Sequence, residues 1–133
     1  MNSVFKNEYI EMSYDDKLKI LFIRWKNKEL SFEEYQQPFL FGLQLIKAKP
    51  IVSFIDDIRE QSIIPLIYRK WLQDFAIPEA VEHGLKRVVI INEINFFKRF
   101  YVNNIFQSIK IFGIPFKMFN SIDKAYNWLL KFE

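Results

Sequence analysis

Charged and apolar residues are interleaved along 4–12, with Lys6, Glu8 and Glu11 set among Val4, Phe5, Tyr9, Ile10 and Met12. That spacing predicts an edge strand with one wet side. Residues 13–17 read as a turn. Residues 18–25 (LKILFIRW) hold four consecutive apolar positions, which predicts a strand covered on both faces and paired with the first as a hairpin. Ser31 with Glu34 three positions later has the spacing of a reciprocal helix cap, and Phe32, Tyr35, Phe39, Leu43 and Ile46 then recur on one helical face. Pro38 cannot donate to the carbonyl of Glu34, so a kink, or a regular helix starting nearer Gln37, is expected there.

Lys49 and Pro50 close that helix, and 51–56 (IVSFID) is a second near-continuous apolar strand. A helix is expected from about Ile64, with Ile67, Tyr68, Trp71, Leu72 and Phe75 on one side and Pro78 dividing it from a short piece, 79–83, that Gly84 ends. Residues 87–92 (RVVIIN) form the most apolar strand, which predicts a central place. A helix over 97–112, a short strand at 116–119 and a last helix capped by Ser121 complete the chain. The order predicts an α/β fold: a mixed, mainly parallel five-stranded sheet with an N-terminal β-hairpin and about four helices. The second, third and fourth strands are expected inside it and the first and last at its edges.

Composition supports one domain spanning residues 1–133. Half the residues are hydrophobic and 18% aromatic, enough to bury a substantial core. The absence of Cys removes thiolate metal sites and cysteine nucleophiles, and a single His removes most His-centred zinc sites and catalytic triads. No run approaches the roughly 18 apolar residues that span a bilayer, and the N-terminus lacks the pattern of a signal peptide, so a cytoplasmic protein without a membrane span is expected. Lys and Arg number 19 against 16 Asp and Glu, with the excess in 84–133. That excess suits a solvated face better than a nucleic-acid surface, and no nucleic-acid partner is expected.

The stretches KILFIRWKN, SFEEY, Asp-Asp-Ile-Arg at a strand end, W-x-x-x-F-x-x-P, EHGLKRVVIIN and SIDKAYNWL together resemble the STAS-like domains of bacteria, relatives of the anti-sigma-factor antagonists. The resemblance runs over nearly the whole chain and rests on structural rather than chemical motifs. It implies a STAS-like fold and a non-catalytic regulatory or interaction module. In the antagonists a phosphorylatable Ser directly follows an Asp after the third strand. Here Asp57 stands at the matching place, while Ile58 and Arg59 occupy the positions where the hydroxyl should be. Some STAS-like folds also resemble the lipid-transfer CRAL-TRIO domains, so a carrier of a small apolar ligand is the alternative.

The loop Asp57, Arg59, Glu60 and Ser62 follows a central strand, where open α/β sheets place ligands, and is the candidate partner loop. Adjacent strand residues point to opposite faces, so Asp56 and Asp57 are expected to share a pocket only if the strand has already ended. Ser62 is read chiefly as a cap for the next helix, with a displaced phosphoacceptor as the rival. His83 reads as a donor at a helix C-terminus. A second apolar stripe, Phe97, Phe100 and Ile111 on one helix and Phe41 and Leu45 on another, points to closer helix packing or to a covering partner, such as a second copy of the chain. No nucleophile, base and oxyanion site combine, so neither an enzyme nor a bound cofactor or metal is expected.

Overall fold

Six strands make one sheet in the order of the chain, β1 (Asn2–Lys6), β2 (Ile10–Asp15), β3 (Ile20–Trp25), β4 (Ser53–Asp57), β5 (Arg87–Ile91) and β6 (Phe116–Phe119). The computed structural model describes residues 1–93 and 99–132, without the side chains of 100 and 101. β1 pairs with β2 and β2 with β3 antiparallel, and β3 to β6 run parallel. The mixed, mainly parallel α/β architecture is therefore as the hydrophobic pattern predicts.

The sixth strand corrects the expected count of five. Asn7 Oδ1 accepts from the backbone N–H of Tyr9 at 2.7 Å and of Ile10 at 2.9 Å, and this side-chain-closed turn breaks 4–12 into two strands. β2 is consequently interior, and β1 takes the edge. β4 and β5 are neighbours in the middle of the sheet, with Ile55 opposite Val89.

Parallel strands in sequential order, joined by crossovers of one hand, place their connecting helices on a common face. α1 (Phe32–Ala48), the helical segment 66–82 and α4 (Arg99–Lys110) accordingly pack on the face that carries Leu21, Ile23 and Ile90. α5 (Ile122–Leu129), continued by a 3-10 turn (Leu130–Phe132), covers Ile20, Phe22, Ile55, Val89 and Ile91 on the other face. Ser31 Oγ accepts from the N–H of Glu34, whose carboxylate accepts from the N–H of Ser31, closing the predicted cap of α1. Gly42 lets α1 approach β3 closely, since a Cβ there would lie 3.1 Å from Leu21 Cδ2.

Pro38 sits buried within α1, which runs from Phe32 to Ala48 without interruption. Pro78 does not divide the next helical segment either. Its missing N–H cannot serve the carbonyl of Asp74, and the chain answers with a wider turn. The segment is α2 (Leu66–Trp71), a π-helical turn (Leu72–Ala76) in which the N–H of Ile77 donates to Leu72 O, and α3 (Ile77–Glu82). Gly84, at φ +115°, follows as the left-handed stop expected there.

Candidate functional site

β4 carries two carboxylates to the C-terminal edge of the sheet, and its alternation sends them to different faces. Asp56 is 3% exposed on the α1 side, where Trp25 Nε1 donates to its Oδ1 at 2.7 Å. Trp25 is itself fully buried and stacked on Tyr35. Asp57 turns the other way and holds Arg59 through a two-pronged contact, Nε to Oδ1 at 3.0 Å and Nη2 to Oδ2 at 2.7 Å. The same carboxylate accepts from the backbone N–H of Arg59. A buried acid paired in this fork geometry is a structural clamp. It raises the Arg59 pKa further above the usual guanidinium value.

The remaining loop residues are fixed by the backbone. Ile58 is fully buried, and its N–H donates to Ile91 O. Ser62 does not cap a helix: α2 has Pro65 as its N-cap residue and no side-chain cap, and Ser62 Oγ instead donates to Lys28 O at 3.0 Å. Tyr68 Oη donates to Leu30 O at 3.0 Å, so two contacts tie this region to the connection between β3 and α1. Glu60 faces solvent.

Directly beyond the loop lies an exposed apolar group, of which helical periodicity places one member, Ile67, inside. Ile63, Leu66 and Ile67 are 74%, 59% and 63% exposed, whereas Ile64 between them is buried. Ile67 is thus not on the packed side of its helix, and Phe75 is also exposed. The signal was present in the sequence as the run Ile63-Ile64-Pro65-Leu66-Ile67. A first turn holding Pro65 has only one inward direction, so such a run must leave most of its members outside.

The second apolar stripe divides. Phe41 and Leu45 are half-buried against the core, and Phe41 packs on Phe5 of β1 at 5.1 Å between ring centroids. Ile111, just past the end of α4, is 83% exposed. Phe97 lies outside the described residues, and the side chain of Phe100 does too. His83 follows the last turn of α3 with Nε2 3.7 Å from the Glu79 carboxylate. Among the described residues no group of three or more His, Asp and Glu could hold a metal ion.

Between the sheet and the helices lies an apolar cavity of about 70 Å³, bounded by α1, the π turn, α3 and α4. Pro38 and Gly42 line it from α1, Leu72 and Ala76 from the π turn, and Ile105 from α4. Among the described residues Asp56 is the one with a polar side chain in its lining.

No family model, curated protein or solved structure matches this chain. Among the described residues no helix is long and apolar enough to cross a membrane.

Proposed function

We propose that the protein is a non-catalytic cytoplasmic interaction module of STAS-like type, which binds a protein partner, or a second copy of itself, through the loop 57–62 and its continuation 63–67. The observation that carries this reading is the exposed apolar group Ile63, Leu66 and Ile67 beside a loop held by the Asp57–Arg59 clamp. Apolar side chains presented together on a braced backbone lose little entropy on binding, and they are the usual core of a protein interface. Control by phosphorylation is no part of the reading. The position after Asp57, where the antagonists carry their Ser, is Ile58 turned into the core, and the Ser62 hydroxyl is engaged by Lys28 O.

The test replaces Ile63 or Ile67 by a photocrosslinking phenylalanine in cells that express the protein, with Lys117 on the exposed edge strand β6 as control site. The reading expects one discrete adduct from positions 63 and 67 and none from 117. Equal adducts from all three sites would refute it.

The cavity favours a second reading, a carrier of a small apolar ligand. Its walls are apolar, and small residues at Gly42 and Ala76 leave the space unfilled.

A further inference from the structure

We propose that the occupant of the exposed apolar group is a second copy of this chain, docked about a twofold axis at the level of Leu72 so that Lys70 of each copy pairs with Asp74 of the other. The proposal rests on the reading of 63–67 as a binding face. The helical segment 66–82 turns Leu72, Ala76 and Ile77 into the core, which leaves its outward side to Leu66 and Ile67, Lys70, Asp74 and Pro78, at steps of three or four. Steps of four drift slowly round a regular α-helix, and the wider π turn takes up that drift, so these residues stay in one row. Lys70 and Asp74 are both exposed, and neither forms an ion pair among the described residues. A cation N-terminal to an anion at this spacing is the weaker order for a pair on one helix, so each charge is open to a partner.

The row reads apolar, basic, acidic, apolar, and reversed it is its own complement. Between identical copies related by a twofold axis, residue i meets residue j and j meets i. Two copies of the segment laid antiparallel, with the axis at the level of residue 72, set Lys70 against Asp74 twice and Leu66 against Pro78 twice. An unrelated partner would need an apolar surface with one acid and one base at this same spacing, and the chain itself carries one.

The experiment is sedimentation velocity of the full chain over a range of concentrations, on wild type, Lys70→Glu, Asp74→Lys and an equimolar mixture of the two variants, each checked for unchanged thermal stability. Wild type should dimerise. Each single variant sets like charges against each other twice and should dimerise at least about tenfold more weakly. The mixture should recover the dimer, because both contacts of the mixed pair again join opposite charges. Within each chain of the mixture the two charges are alike, so a pair formed inside one chain cannot produce the recovery. Should one variant not fold, the other must still lose the dimer. A wild type that stays monomeric at the highest concentration reached, variants that dimerise as wild type does, or a mixture that stays dissociated would each overturn the proposal. The reading of 63–67 as a binding face is decided separately by photocrosslinking from positions 63 and 67: an adduct with a different protein keeps that reading while overturning the second copy, and no adduct at all removes both.

Discussion

The bond between Trp25 and Asp56 joins two buried groups on adjacent central strands, and replacing Trp25 by Phe probes it with little change in shape. The variant keeps an aromatic ring against Tyr35 and Phe39 but deletes the N–H that Asp56 accepts at 2.7 Å. A hydrogen bond to a charged group contributes about 1.5–3 kcal/mol. The smaller ring leaves a void costing about 1–2 kcal/mol more. The expected loss is therefore about 2.5–5 kcal/mol. With an unfolding entropy of roughly 2.1 cal/mol/K per residue, 133 residues give about 0.28 kcal/mol/K, so Tm should fall by about 9–18 °C. Because Phe also removes packing, a double-mutant cycle with Asp56→Leu isolates the polar pair. Each single variant deletes one side of the Trp25–Asp56 bond, and the double variant deletes both. The sum of the two single losses, measured by urea unfolding, should exceed the loss in the double variant by about 1.5–3 kcal/mol. Losses that simply add would show that the two groups do not depend on each other and would refute the reasoning.

Two further outcomes follow from burial. The Tyr126 hydroxyl is buried without a hydrogen-bond partner among the described residues, and burial, with a smaller contribution from Asp15, raises its pKa from 10 to about 12. The native state therefore keeps a proton that the unfolded chain loses, so stability must fall as pH rises from 10 to about 12. Tyr126→Phe should make that decline shallower while matching or exceeding wild-type stability near neutral pH, as followed by urea unfolding at a series of pH values; an unchanged alkaline slope would contradict it. Val89 is fully buried in β5 under α5, and Val89→Asp should cost several kcal/mol, enough to abolish the folded far-UV circular dichroism signal at 37 °C; a native-like melt would contradict the placement.

What the sequence disclosed and withheld divides along physical lines. Continuous apolar runs such as 88–91 must be covered on both faces, so the central strands were legible, as were the Ser31 and Ser121 caps and the Gly84 stop. The break at Asn7 was not, because residues 4–12 alternate in the same way on either side of it, and a turn closed by one side-chain oxygen leaves no Asn-Gly signature. Pro78 predicts a divider by its missing N–H, yet a helix can absorb that loss by widening one turn, which periodicity does not reveal. The opposed directions of Asp56 and Asp57 followed from strand geometry alone. The partners of each acid did not, since Trp25 is 31 residues from Asp56 and only the sheet register brings them together. Ser62 fits a cap by residue type, but where the helix begins decides what its hydroxyl can reach, and here that is Lys28 O. The cavity is lined by small residues of distant elements, Gly42 of α1 and Ala76 of the π turn, a relation that no local pattern encodes.

The central claim is that the segment 63–67, braced by the loop before it, is the face that meets a partner. Photocrosslinking from position 67, with the adducts identified by mass, tests it most directly. A single adduct, lost when Ile63 and Leu66 are both changed to Ser at unchanged thermal stability, is the predicted result. An adduct that persists undiminished in that double variant would mean that the exposed apolar group does not form the contact, and the account would be contradicted.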